Sequence, residues 1–164
     1  MKTFFIVAIT AFALATPAAA MDVRLGGGWN GKAVPSGQQC KLFNGNGSTP
    51  PMTVSGLPAG TVWIVMEYND KSYQPLSRNG GHGILAYPAK GTSTNVPALP
   101  GMTNRLPGGA VVMKKARSTG KYASPGYLPP CSGGKGNQYT VDVKAVDAGG
   151  KVLASKTNVS IGRY

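Results

Sequence analysis

The chain has 164 residues, of which 41% are hydrophobic and 13% charged, enough for one domain with its own core. Its 17 Lys and Arg outnumber five Asp and Glu, so the net charge is +12 at pH 7. A single His and two Cys leave few partners for a metal centre or for acid–base catalysis. The charge favours acidic partners such as anionic headgroups, acidic glycans or nucleic acid, but the basic residues are dispersed along the chain.

The N-terminus has the features of a cleaved secretory signal. Lys2 supplies a basic start, residues 4–14 form an apolar stretch, and residues 17–20 (PAAA) form a small-residue cleavage site. The apolar stretch is shorter than the ~20 residues that a membrane-spanning helix needs, and we expect no transmembrane segment. We therefore expect residues 1–20 to be removed, and residues 21–164 to form a single domain in the periplasm or outside the cell.

Cys40 and Cys131 are the two cysteines of the sequence. In an exported chain such a pair predicts a disulfide, which would be worth about 4–5 kcal/mol for a loop of this length in the chain-entropy model. A pair of metal-binding or redox thiols is the alternative, although the C-x-x-C spacing of such sites is absent.

In the first half of the chain, short strands are predicted between loops. Residues 26–37 are rich in Gly and predict a loop, and Asn-Gly and Pro-Pro pairs after Cys40 predict turns. Residues 52–54 are a short candidate strand. Residues 61–68 (TVWIVMEY) predict a buried strand, because β-branched, aromatic and apolar residues follow one another between turn signals. Residues 82–87 (HGILAY) predict another strand that begins at the single His.

The second half continues this pattern. Residues 92–109 carry so many Thr, Asn, Pro and Gly that we expect no regular structure there. Residues 110–113 are a short candidate strand, and residues 138–146 (QYTVDVKAV) alternate apolar and polar side chains as a half-buried strand does. Residues 152–161 predict a last strand. No segment has the periodicity of a substantial helix, so we expect an all-β sandwich of short strands with long loops.

Two segments stand out for their composition. The densest basic run contains Lys114, Lys115, Arg117 and Lys121. Residues 126–139 (GYLPPCSGGKGNQY) combine two prolines, which fix φ and remove donors, with glycines that can adopt positive φ. Such a loop can present several backbone N–H groups to an anion, or it can be a structural connection held by its cysteine.

Several segments, in order along the chain, resemble the phosphatidylethanolamine-binding protein family, also called Raf kinase inhibitor-like proteins, especially its bacterial members. The resemblance spans about residues 40–147. CKLFNGNGSTPPMTVSGLPAGT is similar to the family's first motif, and EYNDKSYQ falls where the family has D-D-P-D-A-P. GGHGILAYPA resembles the H-W-V-V-x-N-I-P-A strand, and LPGG resembles L-P-x-G. GYLPPCSGGKGNQYTVDVKAV resembles the G-Y-x-G-P-C-P-P-x-G-x-H-R-Y motif.

The resemblance implies a pocket built from an Asp, two His and the proline-rich loop. In this chain Lys71 and Ser72 replace a Pro and an Asp of the family motif, and an Asn stands at the second His. Family motifs carry a cysteine at both cysteine positions, which also implies the disulfide. The residues that the resemblance assigns to ligand binding are Asp70, His82, Tyr127, Pro130, Ser132, Asn137 and Tyr139.

The resemblance implies a β-sandwich with a few short helices and a small surface pocket for a phosphate-like or carboxylate anion or a phospholipid headgroup. Asp70 near His82 would favour the cationic form of the imidazole, which together with loop N–H groups can hold an anion, whereas Asn137 cannot become charged. The alternative for His82 is a hydrogen-bonded residue at a strand end that binds no ligand.

For function, the resemblance implies an exported binding protein without metal or cofactor, acting as an inhibitor or modulator of a protein partner. We expect no enzyme, because the chain lacks a G-x-S-x-G motif and has few groups to pair with its His. The alternative is a secreted basic protein that contacts anionic surfaces through its charge and whose pocket is degenerate.

Overall fold

Eight strands form most of the regular structure in the computed structural model, which describes residues 20–164. The predicted signal peptide lies outside these residues except for Ala20. Three single turns of 3-10 helix lie at Lys41–Phe43, Gln74–Leu76 and Gly120–Tyr122. The strands are β1 (Asp22–Leu25), β2 (Met52–Ser55), β3 (Trp63–Asp70), β4 (Gly83–Pro88), β5 (Ser93–Val96), β6 (Val111–Lys114), β7 (Gln138–Val146) and β8 (Val152–Arg163).

The strands form two antiparallel sheets. The small sheet has the order β1-β2-β5, and the large sheet has the order β6-β4-β3-β7-β8. The main core lies between them, with Val54 of the small sheet buried together with Ile64, Met66 and Val143 of the large one. Each such fully buried side chain contributes roughly 1.5–3 kcal/mol. The prediction of an all-β fold with long loops and only short helices is confirmed.

The two central strands, β3 and β7, set the position of the site. Their antiparallel register pairs Trp63 with Val146 at one end and Asp70 with Tyr139 at the other. Two of the predicted ligand residues are therefore neighbours across the sheet. β4 lies on the other side of β3 and begins one residue after His82, which brings that side chain to the same end.

The sequence misses two strands of the small sheet. The prediction that residues 92–109 have no regular structure is wrong, because Ser93–Val96 forms β5 and pairs with β2. Thr94 and Val96 are buried while Ser93 and Asn95 are exposed, so the strand alternates, but with polar residues that resemble a loop. β1 was not predicted either, since its four residues are too few for a periodic signal.

The predicted disulfide joins Cys40 to Cys131, with the two Cα atoms 5.2 Å apart and 91 residues apart in sequence. Cys40 is fully buried, and its N–H donates to the carbonyl of Pro130 at 3.0 Å. Ala116 and Leu128 pack around the disulfide in a second, smaller cluster. The bond therefore fixes the start of the glycine-rich loop. Among residues 20–164, no helix is long and apolar enough to cross a membrane.

Replacing both cysteines with Ser is expected to lower the free energy of unfolding by about 2–5 kcal/mol, because the unfolded chain regains the freedom that a long cross-linked loop removes. Urea denaturation of Cys40→Ser/Cys131→Ser and of the wild type measures the difference. Wild type unfolded in the presence of a reductant is the control and should match the variant. Two free thiols in the aerobically expressed protein, detected by mass spectrometry, would contradict the pairing.

Candidate functional site

A cavity of about 460 Å³ lies at the end of the large sheet where β3 ends and β7 begins. It is bounded by the loop after the disulfide and by two segments that contain 3-10 turns. Five of the residues that the sequence assigns to ligand binding line it together: Asp70, His82, Ser132, Asn137 and Tyr139.

His82 is held tightly by the neighbouring backbone. Its N–H donates to the carbonyl of Tyr68 at 2.9 Å, and its own carbonyl accepts the N–H of Leu128 at 2.8 Å. The imidazole Nδ1 lies 2.7 Å from the carbonyl oxygen of Leu128. Because a carbonyl can only accept, Nδ1 carries the hydrogen, and Nε2 is the ring nitrogen left for the cavity. The ring also meets the Tyr139 ring edge-on, with centroids 5.3 Å apart.

Glycine at position 83 makes this arrangement possible. Its φ is +116°, and a β-carbon there would lie 2.9 Å from the carbonyl oxygen of Gly126. Only glycine lets the Gly126–Leu128 segment approach the start of β4 so closely. The imidazole of His82 can therefore reach the Leu128 carbonyl.

Burial lowers the pKa of His82 below its usual value, because desolvation penalises the charged imidazole. The hydrogen bond to Leu128 and the charge of Asp70 raise this pKa, and the charge of Arg117 lowers it. Asp70 favours the charged imidazole, as expected from the sequence, but burial is the larger effect and keeps the imidazole uncharged at neutral pH. The imidazole therefore orders the cavity through its hydrogen bond to Leu128 and adds no positive charge to it.

Asp70 is the buried carboxylate of the site, with 4% of its surface exposed. Its Oδ1 accepts the N–H of Ser72 at 2.9 Å, and its Oδ2 accepts Nδ2 of Asn137 at 2.7 Å. The hydroxyl of Ser72 in turn accepts the N–H of Gln138 at 3.0 Å. Asn137, at the position of the family's second His, is therefore a partner that holds Asp70 in place.

Tyr139 contributes a buried phenol to the cavity. Burial, together with the nearby charge of Asp70, raises the pKa of Tyr139 to about 12, although hydrogen bonds to Ser132 and Cys131 lower it in part. The phenol therefore keeps its proton at physiological pH. Its oxygen accepts the N–H of Cys131 at 3.2 Å.

The glycine-rich loop has the backbone shape that the sequence predicts. Gly133, Gly134 and Gly136 have φ of 69°, 78° and 76°. Within the part of the chain that the structure describes, no N–H group of residues 132–136 donates a hydrogen bond. The hydroxyl of Ser132 donates to the carbonyl of Tyr164, so it faces the cavity with accepting capacity only.

Two predicted ligand residues lie outside the cavity lining. Tyr127 is 1% exposed and packs against Tyr68 in the main core, with ring centroids 4.6 Å apart. Pro130 is buried, and its carbonyl accepts the N–H of Cys40. Both residues support the site without facing it.

Several lining residues were not predicted from the sequence. Arg117 belongs to the basic run that was assigned only to surface charge, and Lys135 belongs to the glycine-rich loop. The Arg117 guanidinium donates to the carbonyls of Pro75, Arg78 and Asn79 at 3.0, 2.7 and 2.9 Å, which holds it rigidly. Other additions to the lining are Tyr73, Pro75, Leu76, Ser118, Thr119, Tyr122, Leu128 and Cys131.

No group of three or more His, Cys, Asp and Glu side chains in residues 20–164 lies close enough together to hold a metal ion. The cavity thus contains two cationic side chains, one carboxylate with hydrogen-bonded oxygens and several neutral donors.

Comparison with known proteins identifies the fold. No family model matches the chain, and no curated protein sequence matches it. Among solved structures, a phosphatidylethanolamine-binding protein (PEBP) homologue from Chlamydia trachomatis matches with a TM-score of 0.53. The two chains are 18% identical, and the match covers 88% of this chain and 97% of the other. The chain has the PEBP-like fold.

Asn137 stands where the resemblance places a second histidine, and its amide is bonded to Asp70. The cationic groups that line the cavity are Arg117 and Lys135.

The lowered pKa of His82 predicts a pH-dependent stability. The unfolded chain takes up the proton near pH 6.5 and the folded chain only at lower pH, so the unfolded state binds more protons between these two values. Stability is therefore full above about pH 6.5 and falls as the pH decreases toward the folded pKa. NMR titration of the single His should give a pKa below 6.5, and His82→Gln should flatten this part of the stability profile. A folded pKa at or above 6.5 would contradict the burial argument.

Proposed function

We propose that the chain is an exported, non-enzymatic binding protein of the PEBP family that holds a small phosphate-like or carboxylate anion in this cavity. The observation that carries the proposal is the pair of cations, Arg117 and Lys135, beside a carboxylate whose oxygens are already hydrogen-bonded. The disulfide fits an oxidising compartment outside the cytoplasm and supports export.

The hydrogen bonds of Asp70 make the cavity suitable for an anion despite this negative charge. Two donors stabilise the carboxylate through hydrogen bonds, so neither Arg117 nor Lys135 is needed as its direct ion-pair partner. Arg117 is held by three carbonyls, which lowers the entropy cost of presenting its charge to a ligand. The second amide hydrogen of Asn137 adds a neutral donor.

The size of the cavity suits a headgroup or another small organic anion. Ligand sites in proteins commonly measure about 300–1,000 Å³, and this cavity measures about 460 Å³. A phospholipid headgroup and a free anion of the same chemistry are both compatible with it. We propose that occupation of the cavity modulates the binding of a protein partner at the same surface.

The hydrogen bond of Ser132 supports a binding role over a catalytic one. Its hydroxyl donates to the carbonyl of Tyr164 and not to the His82 imidazole. A serine nucleophile needs a base that accepts its proton, and this pair lacks that geometry.

A second candidate function is favoured by the exposure of Lys114 and Lys115 on β6 and the loop after it. These side chains do not line the cavity, and they would attract anionic polymers or membranes through charge alone. Such attraction is screened over a Debye length of about 8 Å at physiological ionic strength.

NMR titration with acetate, inorganic phosphate and phosphoethanolamine tests the proposal. Arg117→Gln and Lys135→Gln should each weaken binding about tenfold, because hydrogen bonds to charged groups contribute about 1.5–3 kcal/mol. Lys114→Gln/Lys115→Gln is the matched control and should leave these affinities unchanged while weakening binding to heparin. If the small anions bind the control variant more weakly and the cavity variants normally, the basic-surface function replaces the one proposed.

A further inference from the structure

We propose that the ligand of this cavity is an organic monocarboxylate with an aromatic or flat apolar body. The inference rests on the proposed anion-binding function and specifies its ligand. It follows from the apolar side of the cavity, from the position of Arg117 and from the charge of the lining.

The apolar side of the cavity comes from two short segments. Tyr73 immediately precedes the 3-10 turn Gln74–Leu76. This segment provides three neighbouring lining residues with apolar surface, at positions 73, 75 and 76. Tyr122 ends the second 3-10 turn, Gly120–Tyr122, and its carbonyl accepts the hydroxyl of Ser118 at 2.7 Å. A small inorganic anion would leave these side chains without a contact. The apolar lining residues are Tyr73, Pro75, Leu76, Tyr122 and Leu128.

Tyr73 is the most informative of these residues. Its side chain is 54% exposed, and among the exposed large hydrophobic residues of the described chain it is the one that lines the cavity. Tyrosine supplies a large, rigid contact area at a low entropy cost, which makes it a frequent anchor at binding sites. A ligand ring placed against Tyr73 would remove this apolar surface from water.

Arg117 connects the apolar side with the anion site. Its guanidinium donates to the carbonyl of Pro75, which lies in the same segment as Tyr73. In the chain, Arg117 comes shortly before the second 3-10 turn, which ends at Tyr122. A cation is thereby held between the two apolar segments. A ligand that carries a carboxylate beside a ring can contact both the guanidinium and the apolar side chains.

The charge of the lining favours one negative charge on the ligand. Arg117 and Lys135 face the single carboxylate of Asp70, and Tyr139 is neutral. The neutral state of His82 at physiological pH adds no further cation. Two cationic side chains and one carboxylate leave one net positive charge in the lining, which a monocarboxylate balances. A phosphate dianion would leave a net negative charge in the cavity, which costs desolvation energy.

Binding of acetate, phenylacetate and phenyl phosphate at pH 8, measured by calorimetry or NMR, tests the inference. At this pH phenyl phosphate is mostly a dianion. Phenylacetate should bind about tenfold more tightly than acetate, and more tightly than phenyl phosphate. Tyr73→Ser should remove most of the advantage of phenylacetate and leave the affinity for acetate within about twofold. Met113→Ser, which shortens an exposed side chain outside the cavity, is the control and should change neither.

The outcomes separate this inference from the function on which it rests. If acetate binds and phenylacetate binds no more tightly, or if Tyr73→Ser has no effect, the apolar side is not part of the site but anion binding stands. Tighter binding of phenyl phosphate than of phenylacetate would overturn the monocarboxylate. If none of the three compounds binds, both the inference and the proposed function fail.

Discussion

The buried carboxylate of Asp70 is the interaction on which the site depends. A charge removed from water must be hydrogen-bonded, and its partners here are the N–H of Ser72 and the amide of Asn137. One partner lies in the turn after β3, and the other lies in the loop before β7. Because losing either hydrogen bond would leave a buried charge unsatisfied, these bonds hold both segments in place relative to the sheet. The disulfide at Cys131 fixes the other end of the loop.

The position of Asp70 and its partners explains which residues of the cavity carry positive charge. Asn137 holds Asp70, and because its amide cannot become charged it does not supply the positive charge that a histidine at this position would bring. His82 is packed between the Leu128 carbonyl and the Tyr139 ring, and its burial keeps it neutral at physiological pH. The positive charge comes from Arg117 and Lys135, which lie on loops at the cavity wall. The buried groups of the cavity are thus held by hydrogen bonds, and its cationic side chains lie on the surrounding loops.

The sequence predicts those features that depend on local pattern. The alternation in residues 138–146 gives the bounds of β7, and the two cysteines predict the disulfide. The polar strand Ser93–Val96 was missed because its stability comes from pairing with β2, which a local pattern does not contain. Five of the residues that the family motifs assign to ligand binding line the cavity. The motifs also assign Tyr127, but its side chain lies in the core. Arg117 joins the site through carbonyls some forty residues away in sequence, so only the folded chain reveals it.

A crystal structure of the protein grown with acetate tests the central claim most directly. That claim is that the bonds of Asp70 hold a preformed anion site. We predict acetate in the cavity, within hydrogen-bond distance of at least one of Arg117, Lys135, Asn137 and Tyr139. We also predict that the bonds from Asp70 to Ser72 and Asn137 remain unchanged. Acetate bound only at Lys114 and Lys115, or a cavity that fills only after Asn137 leaves Asp70, would contradict this account.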